Sequence, residues 1–484
     1  MRAHEAGALH ADGYGHPSWL RMPADVNALV PSLWASSVGR GADGILTVGG
    51  MSVRDIAREF GTPAYVLDEE DFRSRARSFQ EAYAEVFDDL CGGADVYYAG
   101  KAFLCTEVAR WVRDEGLGLD VCSGGELAVA ARAGMPGKRI GVHGNNKSVA
   151  ELEAALSYRV GRIVVDSFEE IERLADVAKR LGTVAGVMVR VTVGVEAHTH
   201  EFIATAHEDQ KFGFSLSGGA AAEAVRRVLA HAPHLDLLGL HSHIGSQIFD
   251  TSGFEVSARR VLGLHADVAH EHGVELPELD LGGGFGIAYT TEHDPLSPKS
   301  LAAGMAEIIE RECRARSVAV PRISIEPGRA IAGPGTFTLY DVGTVKLVAL
   351  DGGASRAYVS VDGGMSDNIR TALYDANYSC TLASRASTAE PVLARVVGKH
   401  CESGDIVVMD EFLPSDVAPG DLLAVPGTGA YCRALSSQYN HTPRPPVVAV
   451  SDGQARLIVR RETVEDLFAL DVAPAAEAAG SAHD

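Results

Sequence analysis

The seven cysteines of this 484-residue chain are odd in number and include no Cys-x-x-Cys pair. Neither a disulfide framework nor a cysteine zinc cluster follows from such spacing, and a reducing cytoplasm fits it. Basic charge is scarce as well. Lys and Arg number 43 against 65 Asp and Glu, a formal net charge of −22. Such a balance argues against nucleic acid or an anionic membrane as partner. No apolar run reaches membrane-spanning length. The N-terminus lacks an apolar h-region, so no signal peptide is expected. What the chain does have is apolar material, 46% of its residues, enough for a large core. Its length predicts two domains, one of which can be a barrel of about 250 residues.

Residues 1–60 read as an N-terminal arm, rich in Gly, Pro, Ala and His for its first 45 residues. A strand at Gly44-Ile45-Leu46-Thr47-Val48 is expected to join a β domain. Over 61–330, after a lead-in strand at Ala64-Tyr65-Val66-Leu67, short apolar runs alternate with helix-period segments. That alternation predicts βα units and a parallel sheet. The runs end at Gly100-Lys101, Asp120-Val121, Val142-His143, Val165-Asp166, Arg190-Val191, His243-Ile244, Leu281-Gly282 and Ile325-Glu326. Eight is the number a (β/α)8 TIM barrel needs. Ser123-Gly124-Gly125-Glu126, Ser148-Val149-Ala150-Glu151 and Ser167-Phe168-Glu169-Glu170 follow strands and match the capping-box pattern. Residues 331–470 change to β-type runs separated by turns, predicting a C-terminal mostly-β barrel or sandwich. Residues 471–484 form an Ala/Pro-rich tail expected to fray.

Lys101 ends the first barrel run. With its stem buried there, its amine would lose solvation, which favours the neutral, nucleophilic form that a Schiff base requires. Snorkelling is the plain alternative. Reactive groups of such barrels come from strand C-termini, and phosphate is often held after strands seven and eight. Strand seven leads into Gly282-Gly283-Gly284-Phe285-Gly286, whose bare backbone can close on an anion. Strand eight leads into Glu326-Pro327-Gly328-Arg329, and Arg329 offers a planar fork for phosphate or carboxylate. His241 and His243 share a face at the end of strand six. Packing or a metal site competes for them, and His198-Thr199-His200 offers a second H-x-H pair; no metal is expected. Lysine, phosphate cradle and imidazole at one mouth point to pyridoxal 5′-phosphate. Glu326 is placed to keep its ring nitrogen protonated and His243 to stack on the ring.

Tyr98-Ala99-Gly100-Lys101, His241 to Ser246, Gly282 to Gly286, Glu326 to Arg329, Asp362 to Tyr374, Cys401-Glu402-Ser403 and Gly429-Ala430-Tyr431 occur in an order that resembles the fold-type III pyridoxal-phosphate decarboxylases. The resemblance spans residues 45 to 465 and lies closest to the branch acting on meso-diaminopimelate. It implies an alanine-racemase-like barrel, a C-terminal β domain, and a cytoplasmic homodimer with active sites at the interface. It implies that Lys101 bonds the cofactor and that His243, Ser246, Gly284, Glu326, Gly328, Arg329 and Tyr431 contact it. Arg329, Arg370, Tyr374, Glu402 and Tyr431 are implied for substrate. Cys401 is implied as general acid, supplied with Glu402 by the partner subunit. The implied reaction removes CO2 from meso-diaminopimelate to give L-lysine. A relative acting on ornithine, arginine or a D-amino acid would share the barrel motifs but differ around Arg370 and Glu402. One departure is visible: Thr192-Val193 stand where Asn-Pro is expected before Gly194.

Overall fold

A computed structural model describes residues 16–194, 210–350 and 355–473; His198 and His200 lie outside them. Eight parallel strands run Ala94–Ala99, Gly118–Val121, Ile140–Val142, Arg162–Val165, Ala185–Thr192, Leu235–His241, Glu278–Asp280 and Arg322–Ile325. Each pairs with the next. The eighth pairs with the first through Ile325 and Val96, which closes the ring. These are the eight runs expected from the sequence. Their buried residues are mostly Val, Ile and Leu, as a sheet covered on both faces demands.

The helices coat this ring, and the one at Glu69–Cys91 shows why they form. Asp68 caps it by accepting from the Asp71 N–H at 3.0 Å, three acids occupy its first turn, and Gly92 ends it in the left-handed region at φ 75°. Phe72, Ala76, Phe79, Tyr83 and Phe87 fall on one face and are buried. That face packs on the first and eighth barrel strands. Each large side chain contributes about 1.5–3 kcal/mol of burial. Of the three expected capping boxes, Ser148 with Glu151 is complete. Ser123 and Ser167 also cap their helices, but Glu126 and Glu170 reach one residue further back, to the N–H groups of Cys122 and Asp166.

The C-terminal domain is a mixed sheet in the order Ile406–Pro414, Pro391–Val397, Ser355–Val361, Thr336–Ala349, Ala64–Asp68, Val447–Ser451 and Gln454–Val459. Leu422–Pro426 pairs with the long strand Thr336–Ala349 as well. The lead-in strand at 64–68 therefore belongs to this sheet rather than to the barrel. The strand near residue 45 does not join it. Leu46–Val48 makes a small antiparallel sheet with Gly39–Arg40 and Met51–Ser52. Leu46 and Val48 of that sheet, with the preceding Trp34, cluster with Phe337 and Leu339 of the domain, and the Leu46 N–H bonds to the Ala383 carbonyl at 2.9 Å.

The barrel interior is tied by charge as well as by packing. Arg162 of the fourth strand donates to Asp280 of the seventh at 2.6 Å and to Ser324 of the eighth at 2.9 Å. Its guanidinium lies 3.8 Å from the ring centre of Tyr97, on the first strand. Arg162 is 2% exposed and Asp280 0%. Arg162→Ala is expected to cost about 3–5 kcal/mol, because Asp280 would be left buried without its cation. Urea unfolding checks this; a loss under 1 kcal/mol would contradict it.

Candidate active site

The C-terminal ends of the barrel strands open into two adjoining cavities of about 500 and 300 Å³. Ala99, Lys101, His243 and Glu326 line both. Lys101 sits in the short turn Gly100–Ala102 directly after the first strand. Its side chain is exposed, not buried at the stem. The turn lifts it past the strand end and presents it to both cavities.

Glu326 is 7% exposed and forms the centre of the mouth. His241 Nε2 lies 3.0 Å and His143 Nε2 3.3 Å from its Oε1. Asp120 Oδ1 is 3.3 Å from the same His143 nitrogen. None of these approaches has hydrogen-bond geometry, so Glu326 Oε1 remains a buried acceptor without a donor. Burial pushes the Glu326 carboxyl up and both imidazoles down, His143 to about 4. His243 is pushed well down too, first by burial and then by the charges of Lys101 and Arg190. It is therefore neutral, and its Nδ1 accepts from the Gly283 N–H at 3.1 Å.

The glycine loop has no room for side chains. Gly284 takes φ +110°, and a Cβ there would stand 2.6 Å from the Gly245 carbonyl. Arg329 is 6% exposed and donates to Ser246 Oγ at 2.9 Å and to the Tyr289 hydroxyl at 2.5 Å. Gly328 also lines the larger cavity. Arg370 and Tyr374 come from the C-terminal domain and line the same cavity. Tyr431 does so from a left-handed backbone (φ 64°), its N–H bonded to the Ala102 carbonyl at 2.9 Å. The second domain is thus pinned to the turn that carries Lys101.

Ten of the twelve residues expected at the site come together here. Cys401 and Glu402 do not; both are exposed and line neither cavity of their own chain. Sequence reasoning missed His143, Asp120 and Tyr289 as parts of the mouth. Two of these stand at or beside a predicted strand end, which was the signal available. The departure at Thr192 is accommodated: its hydroxyl donates to the Phe212 carbonyl at 2.7 Å and anchors the segment that lines the smaller cavity.

The residues fit a pyridine-bearing phosphate. An orphaned buried carboxylate oxygen, a loop shaped by glycine and an exposed lysine meet in one place. His143, His241 and Glu326 place their ligand atoms within 4.8 Å of one another, a spacing that one cation could also bridge. Only the cofactor reading uses Lys101 and the glycine loop as well.

Fold and site define a pyridoxal-phosphate-dependent decarboxylase. Residues 69–333 match the model of the "Pyridoxal-dependent decarboxylase, pyridoxal binding domain" and 334–429 that of the "Pyridoxal-dependent decarboxylase, C-terminal sheet domain". Diaminopimelate decarboxylase of Mycobacterium leprae is 55% identical, covering 98% of this chain and all of its own. That of Mycobacterium bovis is 58% identical over 92% of this chain and 98% of its own. The crystal structure of the M. jannaschii enzyme in co-complex with L-lysine superposes with a TM-score of 0.84 at 31% identity, covering 91% of this chain and 98% of that one. The chain belongs to the diaminopimelate decarboxylase family.

Burying neutral imidazoles makes stability pH-dependent. His143 falls from 6.5 to about 4 on folding, so the unfolded chain takes up its proton first. Its contribution is complete above pH ~6.5 and is lost as pH falls toward 4. Glu326 and Asp120, both pushed up by burial, act in the opposite sense, so the test is the difference between variant and parent. In cofactor-free protein, His143→Gln is expected to remove about 1.4 kcal/mol per pH unit of slope across that window. An unchanged slope in urea unfolding would show that His143 titrates normally.

Proposed function

We infer that the protein decarboxylates meso-diaminopimelate at its D-configured centre, giving L-lysine and CO2 as a step of lysine biosynthesis. The observation that carries this is one cavity joining an exposed lysine and a buried carboxylate with two guanidiniums from different domains. The family supplies the chemistry: bound pyridoxal phosphate contributes an electrophilic aldehyde and an electron-accepting ring.

The chain's residues divide the remaining work. Lys101 Nζ would be the nucleophile that holds the cofactor until the substrate amine replaces it. Glu326 would pair with the ring nitrogen and keep it protonated. His243, a neutral imidazole, would lie against the ring without adding positive charge. Ser246, the N–H groups around Gly284 and Gly328, Arg329 and Tyr431 would hold the phosphate. Arg329, Arg370, Tyr374 and Tyr431 take the substrate. Clamping the distal carboxylate distinguishes diaminopimelate from lysine and ornithine, which leave those donors unpaired.

Protonation of the reacting carbon falls to Cys401 Sγ, with Glu402 beside it for the distal ammonium. Both stand exposed on the turn between the buried His400 and Asp405, away from their own cavity. Their place is the cavity of a second subunit, in a homodimer with interface active sites. All seven cysteines are free, and no helix of the described residues is long and apolar enough to cross a membrane; a cytoplasmic enzyme suits the former.

Carbon dioxide release should be fast with meso-diaminopimelate and at least 100-fold slower with lysine, ornithine or arginine; comparable rates on ornithine would overturn the substrate assignment. Lys101→Ala should lose activity, and borohydride should no longer fix cofactor to the chain. Retained fixation would move the attachment elsewhere. Cys401→Ala should lower kcat by about 10²–10⁴ with cofactor still bound, and an unaltered kcat would remove Cys401 from the reaction.

A further inference from the structure

We propose that Tyr289 is a substrate-binding residue that joins Arg329 and Arg370 into a single receiver for the carboxylate at the non-reacting end of the substrate. The proposal rests on the diaminopimelate reading and adds a residue that no motif marked.

Tyr289 follows the glycine loop by three residues and is 4% exposed, yet it lines the larger cavity. It touches both arginines. Arg329 donates to its hydroxyl at 2.5 Å. The Arg370 guanidinium carbon lies 4.7 Å from its ring centre, within cation–π range. Tyr378 meets the same ring edge-on at 5.1 Å and accepts from Arg370 at 2.5 Å. Two buried guanidiniums from different domains are therefore spaced by one aromatic ring.

Among the described residues no carboxylate pairs with either guanidinium, and the phosphate proposed above engages Arg329 alone. The guanidinium partners are hydroxyls: Tyr289 and Ser246 for Arg329, Tyr378 for Arg370. Arg329 Nε is a buried donor with no partner at all. A phenol that accepts from a guanidinium keeps its own proton to donate, and Tyr289 borders the cavity. Two guanidiniums and a hydroxyl, all donors, suit a carboxylate and repel an ammonium. The ring also keeps the two like charges in fixed positions before the substrate arrives, which lowers the ordering cost of binding.

The test is binding of two ligands that differ by one carboxylate. L-Lysine retains the carboxylate of the non-reacting end, and cadaverine (1,5-diaminopentane) lacks it. Calorimetric titration of the cofactor-loaded protein gives both affinities. Tyr289→Phe keeps the ring and removes the hydroxyl. It should weaken L-lysine about tenfold, the loss expected for a hydrogen bond to a charged group, and leave cadaverine within about twofold. Tyr289→Ala removes the spacer too and should weaken L-lysine further, again with cadaverine little changed. Equal weakening of both ligands would show a merely structural tyrosine, and no weakening of either would show none of this role; each overturns the proposal. If the parent enzyme itself does not prefer L-lysine to cadaverine, the carboxylate-selective reading of the site fails first, and the proposal with it.

Discussion

A carboxylate buried at the mouth of a closed barrel constrains everything around it. Glu326 has lost most of its water, and an isolated buried charge is among the most costly features a protein can hold. The two imidazoles nearest it are themselves pushed toward the neutral form by the same burial. They soften its environment without supplying a formal positive charge. The site is left wanting a cationic or hydrogen-donating group at that point, which a protonated pyridine ring would supply. The nearby positions follow from this demand. Lys101 stands on the neighbouring strand end, His243 is pinned by the glycine loop, and Arg329 follows Glu326 by one turn.

The two domains are one device at this mouth. The chain leaves the eighth barrel strand through Glu326 and Arg329 and enters the long strand Thr336–Ala349 almost at once. The second domain then returns Arg370, Tyr374 and Tyr431 to the cavity. The backbone bond from Tyr431 to Ala102 fixes the distance between this wall and the lysine.

Much of this was legible in the residues. Strand ends were readable because several apolar runs stop at a polar residue: Lys101, Asp120, His143 and Glu326. The glycine loop announced itself by spacing alone. What escaped was contact across distance. His143 and His241 lie on strands separated by about 100 residues, and nothing local to either says that both face Glu326. Tyr289 belongs to an irregular segment with no periodicity to place it. The strand at 64–68 reads like a barrel lead-in because it precedes a βα unit, but its pairing partners arrive hundreds of residues later. The strand at 46–48 pairs with its own hairpin neighbours and meets the β domain through the Leu46 to Ala383 bond. The exposure of Lys101 depends on a single turn after the strand, below the resolution of pattern reasoning.

The central claim is that one subunit's lysine works with the other's thiol. Mixing Lys101→Ala and Cys401→Ala subunits, each inactive or nearly so alone, tests it directly. Random reassociation puts both lesions in one site of each mixed dimer and leaves its other site intact. The account predicts that activity returns on mixing, to about a quarter of the parent value at equal amounts. Mixed dimers that form, as shown by a differential tag, yet remain as inactive as their parents would contradict it.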